Sequence, residues 1–188
     1  MSGMAAARPP NQPNRLMPPP LELSWPVGAE ALVSSGHDTV VAVFNWRAHS
    51  TGYLFTLVVW ESDDFPEFPG PELMSMAMGT RGKSGAGPRV ECRYDDGSWV
   101  ATQPPFPEAA GAGGSPFLGV MGFHSQRRPS RADFEYWLTP VALLGSLRVT
   151  VEWGARGVPT TGILLPNALL RAAAGKVRSV DIEPPRVS

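Results

Sequence analysis

The residues that most resemble a catalytic motif are Ala77-Met78-Gly79-Thr80-Arg81-Gly82-Lys83-Ser84, which fit the loose form of a phosphate loop. In such a loop backbone amides wrap the phosphates, the lysine neutralises them and the serine holds Mg²⁺. That geometry requires a helix to begin at the serine. Here Ser84 runs into Gly85-Ala86-Gly87-Pro88 and then a strand pattern, so the amides have no helix N-terminus on which to converge. The expectation is a glycine loop and no nucleotide chemistry. The same stretch lacks a nucleophile elbow, since position 86 is alanine where Gly-x-Ser-x-Gly needs glycine.

Metal chemistry fares no better. His37, His49 and His124 stand alone at turns or strand ends, and Cys92 has no second cysteine at ligand spacing. Glu61, Asp63, Asp64 and Glu67 crowd one loop, but Pro66 and two phenylalanines break the ligand alternation that calcium needs. We therefore expect no catalytic residue, no metal site and no cofactor. What remains is recognition. Arg127-Arg128-Pro129-Ser130-Arg131 forms a compact basic turn suited to carboxylate or phosphate partners. Its order also suits a basophilic kinase, with Ser130 as the acceptor. Trp137 alternates with Asp133 and Glu135, opposite Phe134, Tyr136 and Leu138, which nominates it as an exposed binding aromatic. Trp137, Arg127, Arg128 and Arg131 together are the expected interaction patch.

These residues depend on strands for their placement. Thr39–Ala48 reads as a strand with Val40, Ala42, Phe44, Trp46 and Ala48 on one face. After the turn at 49–52, Tyr53–Trp60 is apolar on both faces except Thr56, the pattern of a covered central strand. A second hairpin joins Val90–Tyr94 to Trp99–Thr102 through Asp96-Gly97. Met74–Met78, Phe117–Phe123, Ala132–Leu138 and Thr161–Leu165 read as further strands. Leu147–Trp153 alternates most cleanly of all. Trp46 and Trp153 are expected in the core. Asn167–Ala174 is the one convincing helix, with Asn167 as its cap and Gly175 as its stop.

The fold expected from this order is mainly β: an antiparallel sandwich, or alternatively a barrel, with one short C-terminal helix. A single domain over 25–182 is flanked by a proline-rich tail at 1–24 and a short tail at 183–188. With 188 residues, 43% hydrophobic and 18% charged, the chain is long enough to bury a core without disulfides or metals. A net charge of −1 offers no field for nucleic acid or acidic membranes. A lone cysteine, and no apolar run of membrane-spanning or leader type, point to a cytoplasmic protein.

Arg89-Val90-Glu91-Cys92-Arg93-Tyr94-Asp95-Asp96-Gly97, Phe134-Glu135-Tyr136-Trp137-Leu138-Thr139-Pro140 and Val151-Glu152-Trp153 followed by Gly157-Val158-Pro159-Thr160-Thr161 resemble segments of small β-rich actinobacterial proteins. The likeness covers about half the chain and implies a coherent β domain from a GC-rich genome. It carries no catalytic residue. Expected function is a non-enzymatic interaction or assembly module with a protein partner. The alternatives are a small-molecule-binding domain or enzyme with its site in the sandwich or barrel mouth, and a phage or secretion-apparatus subunit.

Overall fold

In a computed structural model, residues 17–35, 39–62, 88–102, 116–127, 130–139 and 145–180 can be described. The longest strands are β4 (Thr39–Ala48), β5 (Tyr53–Glu61), β8 (Phe117–Arg127) and β9 (Ser130–Thr139); β4-β5 and β8-β9 are antiparallel hairpins that join side by side through β5 and β9. With β2 (Trp25–Pro26) and β3 (Ala31–Ser35) both pairing to β4, they build a six-stranded sheet in the order β2-β4-β5-β9-β8. The second sheet is β11-β10-β6-β7, from β6 (Arg89–Tyr94), β7 (Trp99–Ala101), β10 (Leu147–Trp153) and β11 (Val158–Leu165). The two sheets are antiparallel and do not close into a barrel, so the sandwich holds.

The core lies between them. Val90, Cys92, Val149, Val151 and Trp153 from the four-stranded sheet meet Val41, Val43, Phe55, Leu57, Phe134 and Tyr136 from the six-stranded one. Trp46 stacks on Phe55 at 4.1 Å between ring centroids, and Phe55 on Tyr136 at 5.3 Å, so a column of rings crosses β4, β5 and β9. Tyr53 is buried beside Trp46; its hydroxyl finds no hydrogen-bond partner, and burial pushes the phenol up to about 12.

The span Thr39–Ala48 is as expected, but its facing is not. Val41 and Val43 point into the core, while Phe44 lies on the other side. The cause is a bulge at Asn45, whose φ is 52° and where pairing with β5 shifts between Phe44 and Arg47. One extra residue inverts the alternation, so Trp46 and Ala48 turn inward after Val41 and Val43 have done the same. Trp46 and Trp153 are core residues, as expected.

The hairpin at Asp96-Gly97 forms as read, with φ 84° at Gly97 and Asp96 Oδ1 accepting from the Ser98 amide and hydroxyl. α1 (Asn167–Ala174) has the expected bounds but different ends. Pro166 takes the cap position, Asn167 Oδ1 is buried without a partner, and Gly175 is right-handed at φ −67°. Leu170 and Ala173 seat the helix on the core. The stretch expected as an N-terminal tail to residue 24 contains β1 (Glu22–Leu23), which pairs with β12 (Arg178–Ser179). The expected strand Met74–Met78 and the glycine loop 77–84 lie outside the described residues.

Candidate ligand groove

Pairing across four strands sets side chains of the six-stranded sheet in rows on the face turned away from the core. Phe44, Thr56, Glu135 and Gly122 form one row; Ala42, Val58, Asp133 and His124 the next; Val40, Trp60, Arg131 and Gln126 a third. Thr56, Val58 and Gly122 are small while Phe44, Trp60 and Arg131 stand taller around them, and the difference leaves a trough. It is a half-open groove of about 700 Å³, lined by Phe44, Thr56, Trp60, Phe123, Arg131 and Glu135 among others. That volume falls within the roughly 300–1,000 Å³ of small-molecule sites. Val58 lines the groove and is buried, as is its cross-strand neighbour Ala42, although both face away from the main core.

Phe44 lies on this face in phase with Val40 and Ala42, just ahead of the bulge that turns Trp46 inward, and its ring meets Trp60 edge-on at 5.8 Å and 87°. Across the groove Arg131 is pinned twice. Its Nε and Nη2 donate to Asp133 Oδ1 and Oδ2 at 2.6 and 2.9 Å, and its guanidinium lies 5.5 Å from the Trp60 ring centroid. The hydrogen bonds to Asp133 raise the guanidinium still further above its high ordinary value. Glu135 has no such partner among the described residues. Its carboxylate lies over the backbone at Gly122, where a β-carbon would stand 3.0 Å from Oε2.

Of the expected patch, the side chains of Trp137 and Arg131 can be placed. Trp137 is 0% exposed, against its nomination as a binding aromatic. It does point away from Phe134, Tyr136 and Leu138, but the 49–52 turn folds over it. His49 meets its ring edge-on at 5.4 Å, and Gly52 comes so close that a β-carbon there would lie 2.7 Å from Trp137 Cζ2. Arg131 is committed within the groove, the position of the Arg127 side chain is not described, and Arg128 lies outside the described residues. Ser130 is buried at the hairpin end, which removes it as a kinase acceptor.

The other candidates also resolve. Cys92 is fully buried and burial raises its thiol far above the reactive range. His49 is buried beside Glu22, with 3.5 Å between Nδ1 and Oε2, and desolvation lowers its pKa against the pull of that carboxylate. Glu61 pairs with Arg156; Asp63, Asp64, Glu67, His37, Lys83 and Ser84 lie outside the described residues. Among the described residues no three His, Cys, Asp or Glu side chains gather to hold a metal. No described helix is long and apolar enough to cross a membrane.

A smaller hollow on the four-stranded sheet is a charge ladder in which Arg89 and Arg93 both bridge to Glu91, at 3.3 and 3.1 Å. Both arginines are more than half exposed, as in an ordinary solvated face.

Sequence reasoning missed Phe44 and Glu135. The available signal was Thr56, the one polar interruption of the apolar run 53–60, together with three charges at alternate positions of β9, Arg131, Asp133 and Glu135. A central strand carrying that many charges must turn them toward water or toward a ligand. No family model, no curated protein and no solved structure matches the chain, so the groove is read from its own geometry alone.

Proposed function

We propose that this domain is a non-enzymatic binding module whose ligand seat is the groove on the outer face of the six-stranded sheet. The observation that carries this is the combination of about 700 Å³ of concave space with aromatic walls and charged side chains. Apolar walls supply the affinity of such a site and a few polar groups set orientation. Binding is favoured over chemistry because the only side-chain hydrogen bonds among the described lining residues are the two from Arg131 to Asp133. No described lining hydroxyl is hydrogen-bonded to a base, the arrangement nucleophilic catalysis requires.

The test is a ligand-observed NMR fragment screen of the full chain beside its Gly122→Leu variant, in which a side chain fills the trough. Fragments that bind the wild type and lose contact with the variant support the groove. A hit set that ignores the substitution sinks it.

A protein partner is the second reading, and a separate surface favours it. Leu21, Leu23 and Trp25 occupy alternate positions of the N-terminal arm and are 51%, 63% and 42% exposed. A row of large apolar side chains facing water is the usual mark of a contact surface. Leu23→Asp would then abolish a stoichiometric complex in a native pull-down while leaving fragment binding unchanged.

A further inference from the structure

We infer that the groove takes an organic monocation: an ammonium or guanidinium group carried on an apolar body. This deepens the reading of the groove as a ligand seat and rests on it.

Charge is the first argument. The lining carries one guanidinium and two carboxylates, and the guanidinium is consumed by Asp133 in a two-pronged pair. Glu135 is left as a carboxylate with no ionic or hydrogen-bonding partner among the described residues. Glu135 is exposed, so an anionic ligand would meet an uncompensated like charge there, whereas a cation would complete it.

Placement is the second. Glu135 shares a row with Thr56 and Phe44, and strand spacing of about 4.8 Å puts the backbones of Phe44 and Glu135 roughly 10 Å apart. An alkyl or aryl group lying over Thr56 and Val58 thus has a ring on one side and a carboxylate on the other. Gly122 keeps this carboxylate accessible, since any side chain there would press on Oε2.

The third argument is that the groove already holds a cation in this way. Arg131 is clamped between a carboxylate, Asp133, and an aromatic ring, Trp60. Carboxylate plus ring is a recognised environment for guanidinium and ammonium groups. Glu135 and Phe44 repeat these parts one or two rows along, without the cation. A divalent metal fits poorly, because calcium would require about six to eight oxygens and magnesium a near-octahedral set.

The experiment uses three probes of similar shape on the full chain: 2-phenylethylamine (cationic), 2-phenylethanol (neutral) and 3-phenylpropionate (anionic). Affinities are measured by NMR titration at low and at high salt, on the wild type, Glu135→Gln and Gly122→Leu. The amine is expected to bind at least about tenfold more tightly than the alcohol, with the anion weakest and the preference shrinking as salt rises. Glu135→Gln should bring amine and alcohol to parity and leave alcohol binding unchanged.

Equal binding of amine and alcohol by the wild type, or a preference that survives Glu135→Gln, overturns the cation proposal while the groove itself stands. Failure of all three probes to distinguish the wild type from Gly122→Leu overturns both. Should Gly122→Leu not fold, Phe44→Ala takes its place, because its ring is only half-buried and its loss strips one wall.

Discussion

Glu61 and Arg156 form an ion pair at the end of the sandwich, with Nε 3.1 Å from Oε1 and the glutamate side chain wholly excluded from water. Neither carboxylate oxygen has an aligned hydrogen bond, so the attraction is charge to charge. Burial pushes the Glu61 carboxyl above its ordinary range, and Arg156 opposes the shift without cancelling it. Removing the guanidinium strands a buried carboxylate. Arg156→Ala should therefore cost about 3 kcal/mol at neutral pH, and clearly less at pH 4.5, because the raised carboxyl takes up its proton before the pH falls that far. Urea denaturation at the two pH values checks both the loss and its attenuation.

Two buried groups tilt stability in opposite directions with pH. The folded protein holds the Glu61 proton more tightly than the unfolded chain does. That contribution is largest at low pH and is lost as pH rises from 4.5 through the folded value. His49 is the reverse: its folded pKa is depressed, chiefly by desolvation, so its contribution is present above 6.5 and is lost as pH falls below it. Compared with wild type, Glu61→Gln should lose ground as pH falls, and His49→Gln should gain ground. Thermal melts across the mildly acidic range read the two slopes, and slopes of the same sign would contradict the assignment.

Asn45 carries the bulge in a left-handed conformation, which asparagine tolerates better than most residues. Its side chain is exposed, so substitutions there report mainly on backbone cost. Asn45→Gly is expected to be neutral or slightly stabilising. A β-branched residue at this φ costs about 1–2 kcal/mol, so Asn45→Val should lower the denaturation midpoint accordingly.

Gly52 is required by contact rather than by backbone angle. A β-carbon would press on the Leu138 carbonyl and on the Trp137 ring. Gly52→Ala should cost about 1–3 kcal/mol, as overpacking does, and should change the near-ultraviolet circular dichroism as the Trp137 ring is displaced. An unaltered spectrum and midpoint would mean that the turn lifts freely off the sheet.

The strands were legible wherever apolar alternation was unbroken. Leu147–Trp153 has the expected bounds and facing, and the two-sided apolarity of Tyr53–Trp60 marks a strand whose Leu57 and Val58 are both buried. Thr39–Ala48 shows where such reading stops. A local bulge shifts the phase by one residue, and nothing about an asparagine between Phe44 and Trp46 announces a positive φ. Trp137 shows the second limit: alternation says which face a side chain takes, not how much of that face another segment covers. The groove was hidden for a related reason. Its rows combine Phe44, Thr56, Glu135 and Gly122 from four strands, and the register that aligns them is a property of pairing, not of any one segment.

The pairing of β1 with β12 has a mechanical consequence. Glu22 faces Ser179, Leu23 faces Arg178, and the Val180 amide bonds the Leu21 carbonyl, so the two ends of the folded body leave it side by side. Tension along the chain would then load these hydrogen bonds one after another, as in opening a zipper, rather than all at once in shear. The clasp would release at low force and lengthen the tether, while the ring column of Trp46, Phe55 and Tyr136 stays outside the path of the load.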